Sequence, residues 1–219
     1  MATGREYQLI LFDLDGTLTD PKPGITRAVR YALERCAIYI DDPDTLTSFI
    51  GPPLHHSFAR VYGFDDERAR EAIGFYREYF EATGLYENAV YPGIPYLLER
   101  LRASGRSLAV ATSKPTVYAQ RIVDHFRLGG YFSQVVGSNL DLTRAEKAQV
   151  IGAALDVFPD IARAAVVMVG DREHDIIGAR AHDLDSIGVT YGYGSRAELH
   201  AAGARAIVDR VQDLADLLL

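Results

Sequence analysis

Apolar residues recur along this chain in two rhythms. Short runs over residues 8–12, 107–111, 134–136, 165–169 and 186–190 are bounded by Gly, Asp, Asn or Ser and carry no polar alternation. That pattern predicts strands buried on both faces. A short sixth strand is predicted over Ala206–Val208. Between these runs the spacing changes to three and four. Ile94, Leu97, Leu98 and Leu101 share one helical face, and Gly105 is placed to end that helix. Thr143 with Glu146, and Ser195 with Glu198, fit the capping box and predict two helix starts, the first of which puts Lys147 in a first helical turn. From residue 92 onward strand and helix alternate. The expected fold is α/β, a doubly wound parallel Rossmann-like sheet covered by helices on both faces, with ligands bound beyond the carboxyl ends of the strands.

Residues 20–87 break this rhythm. Helical patterns run over 25–38, 44–49, 54–62 and 66–82 without a convincing strand, and Asp42-Pro43 is a good helix opening. The stretch reads as a helical insertion after the first strand, returning through Tyr91-Pro92-Gly93. The expected organisation is therefore a core domain of residues 1–19 and 88–219 and a helical domain of residues 20–87.

Composition narrows the function class. With 48% hydrophobic and 24% charged residues over 219 positions, the chain is an ordinary globular protein. A formal net charge of -7 gives no general attraction to a nucleic acid polymer or an anionic membrane, so an anionic ligand needs a local basic site. The single Cys36 excludes an intramolecular disulfide, residues 1–8 lack the apolar segment of a secretory signal, and no apolar run approaches the roughly 18 residues of a membrane helix. These features lead us to expect a cytoplasmic protein, monomeric or homodimeric.

The chemistry gathers at the predicted strand ends. Asp13 and Asp15 stand two residues apart where the first strand stops, so in persisting strand geometry both carboxylates leave one face. Like charges that close call for a bound cation or a retained proton. Gly16 then permits a sharp turn and a close backbone approach. A calcium loop needs an oxygen ligand at the fifth position and Gly at the sixth, and here Gly is fourth. Taken alone, Asp15-Gly16 is equally an ordinary turn. The second strand runs into Thr112-Ser113-Lys114-Pro115, hydroxyls and amides suited to a phosphate where a helix begins, although Thr112 and Ser113 also serve as caps. After the fourth strand, Asp171 and Asp175 are four residues apart, ready to hold a hard cation or brace its ligands. Lys147 supplies a positive charge, or else is a solvated lysine. A carboxylate nucleophile, hydroxyl anion binders, a lysine and a second acidic cluster in this order form a set for metal-assisted phosphoryl transfer.

The sequence resembles haloacid dehalogenase superfamily phosphatases, in the branch with phosphoglycolate phosphatases, 5'-nucleotidases and beta-phosphoglucomutase. The resemblance rests on "DLDGTL" at residues 13–18, "ATSKP" at 111–115, Lys147 in "RAEKAQVI" and "VGDREHDIIGA" at 169–179. It implies that Asp13 is the nucleophile and forms an aspartyl-phosphate, and that Asp15 is the acid and base. It implies Mg2+ held by Asp13, the Asp15 main-chain carbonyl and Asp171, with Asp175 behind them. Gly16, Thr112, Ser113, Lys114 and Lys147 would hold the phosphate or the substrate. Residues 20–87 would be the family's cap, where Pro52, Pro53, His55, His56, Arg27 and Arg30 are substrate-contact candidates or simply surface residues. Asp15 points to phosphate esters, since dehalogenases lack it. The expected substrate is a small phosphorylated metabolite: phosphoglycolate first, a nucleoside monophosphate second, a phosphomutase reaction third. A catalytically idle metabolite-binding relative is the alternative from another class.

Overall fold

The computed structural model describes residues 6–219, so the stretch read for a secretory signal lies mostly outside the described residues. In chain order the elements begin with β1 (Leu9–Phe12), β2 (Thr19–Asp20), α1 (Lys22–Arg35), a 3-10 segment (Pro43–Phe49), α2 (Leu54–Tyr62), α3 (Asp66–Tyr79) and β3 (Ala89–Val90). They continue with α4 (Ile94–Ala103), β4 (Ser107–Pro115), α5 (Thr116–His125), β5 (Gln134–Ser138), α6 (Lys147–Asp156) and β6 (Val166–Gly170). The chain closes with α7 (Glu173–Arg180), β7 (Asp185–Val189), α8 (Arg196–Ala202), β8 (Ala206–Val208) and α9 (Val211–Leu218). Two compact units result, one within Met1–Thr19 and Val90–Leu219, the other Asp20–Ala89.

The first unit is built on a six-stranded parallel sheet of order β5-β4-β1-β6-β7-β8. β1 occupies the switch point: the chain adds β4 and β5 on one side of it, then crosses over to add β6, β7 and β8 on the other. Such a switch opens a crevice at the carboxyl ends of the central strands. All four residues of β1 and all five of β6 are buried, as two-sided burial requires of continuous apolar runs. On one face, Val150, Ile151, Ala154 and Leu155 of α6 pack with Ala179 of α7 against Leu9, Leu11, Ala109, Ala111, Val166 and Met168. At roughly 25 cal/mol per Å2 of apolar surface removed from water, this burial is what holds the layers together.

The expected strands match observed ones to within a residue or two, with one exception. β4 runs four residues past its apolar stretch to Pro115, with a register shift against β5 between Ala111 and Pro115. Thr112, Ser113 and Lys114 therefore lie on the strand end; the expected helix, α5, starts directly after them at Thr116, with Pro115 and neither Thr112 nor Ser113 at its N-cap. One cap also differs. The Thr143 hydroxyl accepts from Asn139 Nδ2 and donates to Asp141 within its own turn, and α6 is capped by Glu146, whose amide donates to Gln149 Oε1. Positive φ at Leu142 and Arg144 keeps that turn out of the helix. Lys147 still opens α6. The second expected cap is present in part: Ser195 Oγ accepts from the Glu198 amide, while the Glu198 carboxylate turns to Arg172 and the Glu173 amide.

The second unit is helical. α1 packs on α3, and Gly24 lies so close to Gly84 that a Cβ there would stand 1.9 Å from the Gly84 carbonyl oxygen. α1 starts three residues before its apolar pattern, with Pro23 in its first turn, and stops at Arg35 because Ala37 takes a positive φ. α3 loosens at its end into a π turn, Phe80–Gly84. Phe49, Phe58, Tyr62 and Phe64 form an aromatic cluster, with Phe58 stacked on Phe64 at 5.7 Å. Within this unit Arg27 pairs with Glu87, Arg30 with Glu34 and His55 with Asp66, so three of the candidate substrate contacts carry structural partners. Pro52 and Pro53 lead into α2, and His56 lies in its first turn. The unexpected strands are β2 and β3, a two-residue ribbon in the segments that join the units.

Candidate active site

Asp13 extends β1 by one residue, since its amide donates to Val169 of β6 at 2.9 Å. The chain then closes on itself. Leu14 accepts from the amides of Thr17, Leu18 and Thr19, and the Gly16 amide donates to Thr19 at 2.7 Å. This turn needs φ +82° at Gly16, and a Cβ there would lie 2.2 Å from Asp171 Oδ2. Only glycine satisfies both demands. Strand geometry thus ends at Asp13, and the two carboxylates part company: Asp13 Oδ1 lies 2.8 Å from Lys147 Nζ and Asp15 Oδ2 lies 2.8 Å from Lys114 Nζ.

Lys147 projects from the first turn of α6 between two acids, with Asp175 Oδ1 also at 2.8 Å, and donates to the Ala111 carbonyl at 3.1 Å. Its stem passes Gly178 of α7, where a Cβ would come within 2.9 Å of it. Asp175 is the third residue of α7, and its other oxygen accepts from the Arg172 amide, which lacks a helical partner. Asp171 lies in the turn before α7, not on the helix. Its Oδ2 accepts from the Tyr193 amide at 2.7 Å, while its buried Oδ1 has no hydrogen-bond partner among the described residues.

Ligand atoms of Asp13, Asp171 and Asp175 all lie within 4.8 Å of one another, and all three residues are buried. Counting Asp15, four buried carboxylates face the two ammonium groups of Lys114 and Lys147. The negative excess shows in the acids themselves. Burial, then the charges of Asp175 and Asp13, push Asp171 well above the ordinary carboxylate range. Burial raises Asp175 to about 6 despite Lys147. Burial also raises Asp15, although Lys114 opposes the shift. Desolvation would lower Lys147, but Asp13 and Asp175 outweigh it and hold the ammonium above its usual value. An all-oxygen, buried, electron-rich set with one donorless oxygen at Asp171 fits a hard divalent cation. In this cluster the Asp15 side chain takes no part, and Asp175 stands where the sequence suggested only a supporting residue.

Thr112 is buried beside the site, its Oγ1 accepting from the Lys114 amide at 3.3 Å, and Ser113 is half-buried. Sequence reasoning did not identify the loop after β7. A Cβ on Gly192 would lie 2.2 Å from the Gly16 carbonyl oxygen, and one on Gly194 would lie 1.9 Å from that of Asp171. Tyr191 donates its hydroxyl to the Thr17 carbonyl. The available signal was glycine alternating with tyrosine directly after a strand, in "YGYGSRAEL" at residues 191–199, which marks close backbone approach.

Residues 10–189 match the family described as haloacid dehalogenase-like hydrolase. A 5'-nucleotidase from Pseudomonas aeruginosa is 52% identical over 197 residues, covering 89% of this chain and 88% of that one. Tyrosine-protein kinase PtkA from Mycobacterium tuberculosis is 41% identical over 191 residues, which are 87% of this chain but 65% of that protein. A phosphoglycolate phosphatase from Colwellia psychrerythraea is 26% identical, covering 96% of each chain. Among solved structures, one described as a predicted phosphatase from Clostridium acetobutylicum superposes with a TM-score of 0.94 at 49% identity, covering 96% of this chain and 97% of that one.

Proposed function

The chain belongs to the haloacid dehalogenase-like hydrolase family, and from that premise we propose that it hydrolyses small phosphate monoesters through an aspartyl-phosphate on Asp13. The observation that carries this reading is the meeting of Asp13, Asp171 and Asp175 within 4.8 Å, with Lys147 against two of them. Asp13, Asp171 and the Asp15 main-chain carbonyl would hold Mg2+, with Asp175 bracing the set. The cation would offset the repulsion between a carboxylate and a phosphate dianion.

The chain's own residues divide the remaining work. An Asp13 oxygen bonds to phosphorus as the ester P–O bond breaks. The bonding pair leaves on the alcohol oxygen, which takes a proton from Asp15. Asp15, now a carboxylate, accepts a proton from the water that attacks the phosphorus, and the P–O bond to Asp13 breaks, releasing phosphate and restoring the nucleophile. Burial of Asp15 favours its protonated form, as the first step requires. Lys147 and Thr112 surround the transferring oxygens, with amides near Gly16.

For the substrate we place nucleoside 5'-monophosphates ahead of phosphoglycolate, because the 52% identity to a 5'-nucleotidase is twice the 26% identity to a phosphoglycolate phosphatase. The order is the reverse of that expected from the sequence. A panel of phosphate esters with Mg2+ tests it: fastest release from nucleotides supports it, and fastest release from 2-phosphoglycolate reverses it. The 41% identity to a tyrosine-protein kinase favours a second reading, phosphoryl transfer to a tyrosine hydroxyl instead of water. Labelled phosphate appearing on protein tyrosine, without ester hydrolysis, would establish that reading. Asp13→Asn is expected to abolish turnover with the fold intact by circular dichroism; a variant that stays active refutes the nucleophile assignment.

A further inference from the structure

The two buried lysines at the site have different acidic partners. Lys147 pairs Asp13 and Asp175, whereas Lys114 pairs Asp15 at 2.8 Å, with the two side chains 5% and 9% exposed. The main chain on both sides of that second pair is already fixed. Asp15 lies within the turn closed on Leu14 and Thr19, and the Lys114 amide donates to Thr112 beside the register shift of β4. Rotation about the side-chain bonds of Asp15 is what remains to be set, and the contact with Lys114 pins one carboxyl oxygen. The other, Oδ1, is buried without a hydrogen-bond partner among the described residues. Leaving such an atom unpaired is costly, and an Oδ1 that carries the acid's proton would donate it to the oxygen of a bound ester.

Resting on the phosphatase reading above, we infer that Lys114 is a positioning residue: it holds Asp15 Oδ2 so that Oδ1 is the oxygen presented to the leaving group. When the Asp13–phosphorus bond forms, the ester P–O bond breaks with its electron pair on the alcohol oxygen, and Oδ1 is the atom that hands over the proton. This role differs from gripping the phosphate, the part that the position of Lys114 in the sequence suggested. A misplaced Asp15 harms the expulsion of a basic alkoxide severely and of a weakly basic phenolate little, while a lost phosphate grip harms both alike.

The test uses the full chain with Mg2+ and compares kcat/KM on 4-nitrophenyl phosphate with that on the best alkyl phosphate of the panel. Lys114→Met is expected to lower the alkyl value by about 100-fold and the aryl value by less than about fivefold, the size of a lost general acid. Lys114→Arg is expected to restore part of the alkyl rate. Asp15→Asn combined with Lys114→Met leaves no uncompensated charge and should be no slower than Asp15→Asn alone. Equal losses on both esters, a rise in KM at constant kcat, or multiplying losses in the double variant would each overturn the inference. Turnover retained in Asp13→Asn would instead remove the reading beneath it, whatever the Lys114 variants do.

Discussion

Gly16 and Lys147 are the residues where local chemistry and tertiary demand meet most tightly. Gly16→Ala would have to hold φ +82° with a methyl 2.2 Å from an Asp171 oxygen. We expect a stability loss of about 1–3 kcal/mol in urea titration and a large loss of turnover, because the turn and the acid cannot both keep their places. Lys147→Met leaves Asp13 and Asp175 buried without their shared cation, a change expected to cost about 3–5 kcal/mol in the metal-free protein. An equal stability of the two chains would show that the pair is not charged as described. Asp13, Asp15 and Gly16 were legible because the hydroxyls, lysine and further acids at the other strand ends joined a pair that alone reads as an ordinary turn. The roles of Gly178, Gly192 and Gly194 were not, because what each must leave room for lies on another segment.

The elements were read well where apolar spacing defines them, as in α2, α4 and β8, and less well where polar residues do. β4 continues through Thr112-Ser113-Lys114 because its partner β5 is there to pair with, and no apolar pattern announces that. The cap of α6 moved from Thr143 to Glu146 because Asp141 competes for the Thr143 hydroxyl at 2.6 Å. Ser195, in contrast, caps α8 as expected, and Ser195→Ala should cost about 1 kcal/mol in thermal or urea unfolding while leaving kcat nearly unchanged. The α6 and α7 pair offers a sharper check. Gly178→Ala puts a methyl 2.9 Å from the Lys147 stem, so turnover should fall more than stability does. If kcat is unaffected, the path of Lys147 is not set by α7.

Over the whole molecule, the buried acids couple stability to pH and to metal. Asp171 and Asp175 have folded pKa values above the unfolded 3.8, to about 6 for Asp175. A raised acid favours the folded state fully below pH 3.8, and that advantage is lost as pH rises through the folded value. The contribution of Asp175 to metal-free stability should therefore fall between about pH 4 and pH 6, and that of Asp171 should likewise fall as pH rises above the ordinary carboxylate range. Mg2+ competes with the same protons, so its thermal stabilisation should be larger at pH 8 than at pH 5, by differential scanning fluorimetry. An Mg2+ shift independent of pH would mean that the ion does not displace protons from this cluster. The two-unit organisation was visible because a helical stretch interrupts a strand-and-helix alternation, and among the described residues no helix is long and apolar enough to cross a membrane. By itself the amino-acid order determined the parallel sheet, the helical insertion and the identity of the acids and lysines, since periodicity and residue type are local properties. Which lysine meets which acid, and that Asp175 joins Asp13 and Asp171 while Asp15 turns away, was decided only when strands distant in sequence came together. Pairing distances depend on the register of β1, β4 and β6, and no local pattern encodes them.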